Sequence, residues 1–463
     1  MTDRANGAAA SANGIAAGAN GAAVGSKAGT GGGAPKSGGI GLLGAMSIGI
    51  GGMVGGGIFA VLGEAVTLAQ GATAIAFAFA GIVALLTSYS YAKLSVRYPL
   101  KGGTVVFIHR AFGKDLWSGT LNLMLWLSYL VTLALYSVAF GSYAMTFFPG
   151  QHGSWLRHVL ISAGIIIPVA INLLSSQLIA RTETMIVGIK LVLLAIVVIA
   201  GFGYVDSSRL SPATWESPLS IIVAGMVIFV AYEGFELISN SAEEVRDPDR
   251  TLPRAYYGTV LLVIVLYLLV AVVTVGSVPP DRIAAVKDYA LAEAARPALG
   301  STGFTMVAIA ALLATLSAIN ATIYGNARLG FNLAKNGELP DTLDKKAWNE
   351  PVAGVLTTGG LALVMANSID MTAIAIIGSA GFLLVFAAVN AAGVRLAPKI
   401  GALWGICLVG CIACAGSLIA LLGRTYDDSP HALWVFVAFI LVSVTFELVY
   451  PRLRKRTFLT RLV

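Results

Sequence analysis

Residues 41–65 read GLLGAMSIGIGGMVGGGIFAVLGEA, an apolar stretch long enough to cross a bilayer as a helix, which takes roughly 20 residues. Six of the nine residues from Gly49 to Gly57 are glycine, and each internal glycine costs a helix about 1 kcal/mol relative to alanine. A close contact between two helices explains one spaced glycine pair. It does not explain three consecutive glycines at Gly55–Gly57, which cover all faces. The stretch therefore predicts a membrane helix that unwinds within Gly51–Gly57.

The composition extends this interpretation to the whole chain. Of the 463 residues, 57% are hydrophobic and 11% are charged, whereas a soluble domain carries roughly 25% charged residues. We therefore predict an all-α integral membrane protein whose partner is the lipid bilayer. The chain contains twelve candidate membrane segments, at 39–69, 72–96, 116–147, 156–176, 184–204, 218–243, 254–278, 303–333, 352–369, 371–394, 401–423 and 431–450.

The distribution of basic residues predicts the topology. Of the 30 Lys and Arg residues, 23 fall in the two tails and in alternate loops on the same side, and six fall in the opposite loops. The remaining one, Lys190, is assigned to neither side because it lies farther from the end of its segment than the others. Cytoplasmic loops carry the excess of basic residues, so we expect twelve segments with both termini cytoplasmic, in a cell membrane.

The two ends of the chain differ from the apolar body. Residues 1–38 are dominated by Gly, Ala, Ser and Asn, a composition that cannot bury enough apolar surface to fold, and they show no secretory signal peptide. We expect a disordered cytoplasmic tail over 1–38 and a basic cytoplasmic tail over 451–463.

The sixth segment is the second unusual one. It reads IIVAGMVIFVAYEGFELISNSAEEV over residues 221–245 and carries Glu233 and Glu236 beside Gly234. A carboxylate at membrane depth is costly unless it is paired, protonated or lines a cavity. The plain alternative is a single protonated glutamate bonded to a neighbouring helix.

Interruptions in segments one and six lie five segments apart, which is the spacing of an inverted repeat. Such pairs of interrupted segments indicate the binding site of a transporter. We therefore expect a first five-helix repeat over 39–205, a second over 206–397, and helices 11 and 12 outside them over 398–450.

Three motifs resemble those of the amino acid–polyamine–organocation (APC) transporters, whose fold is LeuT-like. They are GGMVGGGIF at 51–59, FVAYEGFELISNSAEEVRDPDRTLPRA at 229–255 and NARLGFNLAKNGELP at 326–340. The resemblance covers about residues 39–460. It implies alternating access around a solute site at the bilayer midplane, with amino acids or related amines as the substrate class.

The resemblance also implies a set of binding residues. The glycines would hold a substrate carboxylate with unpaired backbone N–H groups and the dipole of the following half-helix. Unwound carbonyls of segment six would accept from the ammonium, and its aromatic residues are gate candidates. Glu233 either meets a cationic substrate or takes up a coupling proton. The substrate-binding set is Met53, Gly55, Gly56, Gly57, Phe229, Val230, Ala231, Tyr232, Glu233 and Glu236.

Lys190 is the candidate for coupling. The resemblance places it where sodium-coupled relatives bind Na⁺, so that a fixed ammonium replaces the ion and argues against sodium coupling. The alternative is a lysine that snorkels to the membrane surface. Polar residues of segment eight, Ser317 and Asn320, are expected to line the cavity opposite Lys190 or to bond between helices. Tyr129 and Tyr136 of segment three either pack in the core or wall the site.

Several function classes receive no support from the sequence. The chain shows no phosphate-binding loop, hydrolase triad or zinc pattern, and Cys407, Cys411 and Cys414 are interpreted as packing residues of one membrane helix. We expect no enzyme activity, cofactor, metal, nucleic acid or obligate protein partner. The expected function is secondary amino-acid transport, sodium-independent and either proton-coupled or exchanging. The alternatives are a polyamine, organic-cation or inorganic-cation (for example K⁺) transporter of the same fold, and a sensor or channel that moves no solute.

Overall fold

A computed structural model describes residues 39–100, 102–148, 150, 153–174, 177–344, 351–428 and 430–453. The tail expected over 1–38 lies outside the described residues. Of the tail expected over 451–463, residues 451–453 are described, and they form the last turn of a helix.

The described chain is built from α-helices joined by short turns. Its first half contains α1 (Leu42–Met53), α2 (Gly57–Ala69), α3 (Thr73–Arg97), α4 (Gly103–Phe112), α5 (Leu116–Met145), α6 (Ser154–Leu174) and α7 (Gln177–Gly201). Its second half contains α8 (Pro218–Val227), α9 (Pro248–Ser277), α10 (Pro280–Ala285), α11 (Ala290–Ala294), α12 (Arg296–Asn336), α13 (Val352–Ser368), α14 (Met371–Ile400), α15 (Trp404–Asp428) and α16 (Pro430–Leu453).

These helices account for the predicted membrane segments. Ten are long and apolar enough to cross a membrane, and α1 with α2 forms an eleventh span that is bent by 48°. The ninth predicted segment corresponds to α13, an apolar helix of 17 residues, which is the lower end of the length that spans a bilayer. The prediction of an all-helical membrane protein is confirmed, and each predicted segment matches one helix or one broken pair.

The first segment is discontinuous where the glycines predicted it. α1 ends at Met53, residues 54–56 form a turn, and α2 begins at Gly57. No side chain caps the start of α2. Both explanations of the glycine run hold, because the chain unwinds there and Gly52 also packs directly on another backbone. A Cβ added at Gly52 would lie 2.7 Å from Gly234 Cα.

The sixth segment is also discontinuous. Pro218 occupies the first turn of α8 and Ser217 caps it through the Ser220 amide, an arrangement that favours a helix start. After Val227 the chain tightens into a 3₁₀-helix over Ile228–Tyr232, turns at residues 233–234, and resumes as a 3₁₀-helix over Phe235–Glu244. Gly234 adopts φ +127°, which an L side chain rarely tolerates. The turn therefore depends on a glycine at this position.

A backbone bridge joins the beginning of segment one to the end of segment six. Ile40 N donates to Glu244 O at 2.8 Å, and Arg246 N donates to Ile40 O at 2.9 Å. These bonds form an isolated parallel β-bridge between Ile40 and Val245. The broken segments are thus joined at their ends as well as at their breaks.

The connection between α9 and α12 packs on the second half of segment one. Lys287 Nζ lies 3.2 Å from Glu64 Oε2 on α2 and 3.1 Å from Thr372 Oγ1 on α14. A Cβ at Gly63 would lie 2.1 Å from Lys287 O, so this connection and α2 are in close backbone contact. It covers the end of α2 that the charge distribution predicts to be extracellular.

Candidate functional site

The two breaks meet at a single hydroxyl group from α9. Tyr267 is fully buried, and its hydroxyl lies 2.6 Å from Met53 O and 3.1 Å from Ala231 O. These carbonyls belong to the two interrupted segments. Carbonyls of segment six were expected to accept from a substrate ammonium, and Ala231 O already accepts from Tyr267. The hydroxyl of Tyr267 therefore sets the spacing of the two breaks.

The three glycines lie in a tightly packed environment. A Cβ at Gly56 would lie 2.3 Å from Tyr136 Cδ1, and one at Gly57 would lie 2.7 Å from Ala231 Cα. A Cβ at Gly55 would lie 3.0 Å from the Ala318 side chain of α12. Because amides in the first turn of a helix have no intrahelical acceptor, Gly57 and the residues after it present donors at the centre of these contacts.

Both glutamates of segment six bond to α5. Thr132 Oγ1 lies 2.7 Å from Glu233 Oε2. Tyr129 donates from its hydroxyl to Glu236 Oε1 at 3.0 Å, and Gly234 N donates to Glu236 Oε2 at 2.7 Å. Glu233 is 5% exposed and Glu236 is 1% exposed. Each buried carboxyl group thus has a donor partner, which offsets part of the cost of burying it.

Four residues of segment six contact α3 and α14. Phe229 and Phe235 pack against Phe386 of α14, with ring centroids 5.9 Å and 5.3 Å from its ring. The hydroxyl of Tyr232 donates to Phe77 O on α3 at 2.9 Å. Val230 N donates to Ser379 Oγ on α14 at 2.9 Å. These contacts anchor segment six on both sides of its break.

Lys190 lies against the first segment and not at the membrane surface. Its side chain is buried, at 2% exposure, and Nζ donates to Gly51 O at 3.2 Å. Gly51 is one of the residues that precede the break, in the last turn of α1. The side chain of Lys190 therefore binds the discontinuous segment itself, and its role in coupling stays a prediction.

The polar residues Ser317 and Asn320 of α12 do not line the cavity that Lys190 shares with α12. Asn172 of α6 donates through Nδ2 to Asn320 Oδ1 at 2.6 Å, so Asn320 takes part in a bond between helices. Ser317 is half-buried. The α12 residues that share a cavity with Lys190 are Ala310, Leu313 and Ala314. The structure therefore brings Lys190 to segment one, and it joins Asn320 to α6.

Dense packing characterises this region. Met53, Phe229, Val230, Ala231 and Tyr232 are all fully buried. Two cavities lie elsewhere: one is lined by Lys190 and apolar residues of α7 and α12, and the other lies beside Glu64 and Lys287. A solute that binds at the breaks must therefore displace side chains or separate the two segments.

Sequence reasoning did not single out Thr132 or Tyr267. Tyr267 stands in the apolar run VLYLLVAVV and Thr132 lies three residues after Tyr129. One sequence signal was present in each case, since both are hydroxyl groups at membrane depth, where polar groups need partners. Among the residues that the structure describes, no group of three or more His, Cys, Asp or Glu side chains could hold a metal ion.

Comparisons with known proteins give a consistent result. A sequence model of the family described as amino acid permease matches residues 40–450. Inner membrane transport protein YbaT of Escherichia coli K12 is 33% identical over 416 residues, or 89% of this chain and 96% of that protein. Cationic amino acid transporter 9, chloroplastic, of Arabidopsis thaliana is 29% identical over 329 residues, covering 66% of this chain and 57% of that protein. Branched-chain amino acid permease BcaP of Bacillus subtilis 168 is 25% identical over 372 residues, covering 76% and 79%.

Proposed function

Because the chain belongs to the amino acid permease family, a family of transporters and not of enzymes, we propose that it moves amino acids across the cell membrane by alternating access. Transport is sodium-independent and is driven by protons or by exchange. The two five-helix repeats at 39–205 and 206–397 carry the site between them, with residues 398–450 outside and both termini cytoplasmic. The transporter acts without an obligate protein partner.

One observation carries the proposal for coupling, namely the bond from Lys190 to the discontinuous segment. The Nζ to Gly51 O distance of 3.2 Å puts the amino group of Lys190 beside a carbonyl that precedes the break. A metal cation at the same carbonyl would be repelled by the ammonium. Lys190 therefore replaces a sodium ion, and the remaining driving force is a proton or a second solute.

The substrate carboxylate binds at the start of α2. Gly56 and Gly57 supply backbone donors there, and the helix dipole favours an anion at this end. The Gly55 amide donates to Gly52 O at 3.2 Å in the described structure, so it must leave that carbonyl before it can bind a carboxylate. Ala231 packs on Gly57, and Met53, Val230 and Ala231 would border the solute. Because Tyr136 packs on Gly56 in the described structure, its ring must move before a carboxylate reaches the amides.

The role of Glu233 depends on whether the substrate is a neutral amino acid or carries an additional positive charge. Glu236 accepts from Tyr129 through one oxygen and from Gly234 N through the other, so both of its oxygens already have a donor. Glu233 has a single hydroxyl partner at 2.7 Å. With a neutral amino acid Glu233 takes up the coupling proton; with a cationic amino acid or a polyamine it binds the second positive charge. This carboxylate keeps a cation transporter as the second candidate function.

Uptake by proteoliposomes tests the coupling. A radiolabelled amino acid mixture is offered under an inward proton gradient, an inward sodium gradient, or with unlabelled amino acids inside. We expect accumulation with protons or with exchange, no response to sodium, and loss of uptake in Lys190→Ala. Lys335→Ala is the control, because Lys335 is an exposed lysine stacked over Phe331. Sodium-driven uptake with a fully active Lys190→Ala variant would disprove the coupling proposal.

Competition tests the substrate class in the same vesicles. Excess putrescine or K⁺ is added against the labelled amino acid mixture, with the wild-type protein and with Glu233→Gln. Competition by putrescine that disappears in Glu233→Gln identifies a cationic substrate. If neither cation competes and Glu233→Gln alters only the response to a proton gradient, Glu233 takes up the proton.

A further inference from the structure

Thr132 lies between a carboxylate acceptor and a backbone acceptor. It is fully buried in α5. Its Oγ1 lies 2.7 Å from Glu233 Oε2 and 3.1 Å from the backbone oxygen of Ser128, one helical turn earlier. A hydroxyl group has one proton and two lone pairs. It cannot donate fully to both oxygens, so the two contacts describe alternative bonding arrangements of the same atoms.

The alternatives correspond to the two charge states of Glu233. When Glu233 is ionised, Thr132 donates its proton to Oε2. When Glu233 holds a proton taken from the aqueous phase, the carboxyl group donates to Thr132 Oγ1, and the threonine proton rotates to Ser128 O. Backbonding of this kind is common for threonine in helices. The heavy atoms keep their places, and Glu233 keeps its hydrogen bond to Thr132 in both states, while the bond from Thr132 to Ser128 O forms only in the protonated state.

We propose that Thr132 is the positioning residue that allows Glu233 to gain and release the coupling proton while it is buried. The inference rests on the proposed function, because it assumes that Glu233 takes up that proton. A buried polar group without a partner is costly, so a carboxyl group that must exist in two protonation states needs a neighbour that both accepts and donates. A hydroxyl group meets this requirement, and a backbone amide does not.

The surroundings of Glu233 support this assignment. Glu236 differs from Glu233 because its Oε2 accepts from Gly234 N, a donor that cannot reverse. The titratable and charged groups on the packed elements are Glu236 on the same segment, Tyr129 and Tyr136 on α5, Tyr267 on α9 and Lys190 on α7.

Tyr129, Tyr267 and Lys190 are each bound to other oxygens: Glu236 Oε1, two backbone carbonyls and Gly51 O. Among the contacts of Glu233 with the described residues, the hydroxyl of Thr132 is the reversible partner.

Two assays of the same proteoliposomes separate this role from a structural one. Net uptake of the labelled amino acid mixture under a proton gradient requires Glu233 to cycle through both states. Exchange of labelled for unlabelled amino acids at equal pH returns the carrier loaded, so Glu233 keeps its proton. Thr132→Val, which retains the branched shape but removes the hydroxyl, should lower proton-driven uptake by at least about tenfold, since a hydrogen bond to a charged group is worth roughly 1.5–3 kcal/mol. Exchange should remain.

Two further variants complete the experiment. Thr132→Ser restores the hydroxyl and should restore proton-driven uptake. Thr425→Val is the matched control, because Thr425 is a buried threonine of α15 that bonds back to Leu421 O at 2.7 Å; both activities should be unchanged. Equal loss of uptake and exchange in Thr132→Val, or no loss of either, overturns the proposal.

The wild-type protein and the Glu233→Gln variant test the proposed function separately from the Thr132 variants. If wild-type protein ignores the proton gradient and Glu233→Gln behaves like wild type, proton coupling through Glu233 fails, and the role of Thr132 fails with it. If wild type responds to the gradient and Glu233→Gln does not, coupling stands, and the Thr132 variants alone decide the inference.

Discussion

Gly52→Ala tests whether the contact between the two breaks is required for transport. A Cβ at Gly52 would lie 2.7 Å from Gly234 Cα, 3.1 Å from Leu237 Cδ1 and 3.2 Å from Gly234 C. Two of these atoms are backbone atoms, so a side-chain rotation cannot remove the clash. Ordinary carbon contacts begin near 3.4 Å, which requires the two segments to separate by about 0.7 Å. Overpacking of a dense core by one methyl group costs about 1–3 kcal/mol.

We expect Gly52→Ala to lower the thermal stability of the purified protein and to reduce amino acid uptake strongly. The separation of the segments would lengthen the 2.6 Å and 3.1 Å bonds from Tyr267. Gly416→Ala is the control, because this α15 glycine has no atom within 4 Å of an added Cβ. There alanine should be neutral or should stabilise the helix by up to about 1 kcal/mol. Wild-type stability and uptake in Gly52→Ala would refute the idea that this backbone contact holds the site together.

Two further predictions concern the supports of the site. Tyr267→Phe removes the donor shared by Met53 O and Ala231 O, and it should destabilise the protein by about 1–3 kcal/mol, measured by thermal unfolding in detergent, and weaken solute binding. Glu293→Gln should cost about 1–2 kcal/mol in the same measurement, because the buried carboxylate meets Arg282 at 2.6 Å and Arg296 at 2.7 Å, although both arginines are partly exposed and screened by solvent.

Each of these two predictions has its own contradicting outcome. Unchanged solute affinity in Tyr267→Phe would show that its hydroxyl does not set the spacing of the breaks. A thermal midpoint for Glu293→Gln that is unaffected at low and at high salt would show that the ion pairs contribute no stability.

The fold was largely accessible from the sequence because its signals are long and local. Apolar runs of about 20 residues and the bias of basic residues mark the segments one at a time. The glycines near Gly55 predicted the break in segment one, and Gly234 beside Glu233 predicted the break in segment six. The bounds of the helices were harder to predict, as for α9, which begins at Pro248 instead of residue 254.

The partners within the site were not accessible in the same way. Thr132, Tyr267 and Asn172 lie on α5, α9 and α6, and their roles come from contacts between residues that are 36 to 214 positions apart in the chain. Nothing in their local sequence fixes which face of a uniformly apolar helix points inward, because lipid and core are equally apolar. The sequence alone therefore could not identify Thr132 as the partner of Glu233, and it could not predict that Asn320 bonds to Asn172.

The bridge between Ile40 and Val245 connects the residues just before α1 mechanically to the end of segment six. Its bonds run from Ile40 N to Glu244 O and from Arg246 N to Ile40 O, and Arg246 Nε also donates to Gly39 O at 2.7 Å. These bonds tie residues 39–40 to the end of the 3₁₀-helix that begins at Phe235, directly after Glu233 and Gly234. We therefore expect the two half-segments on this side to move together during transport, with the two breaks as hinges.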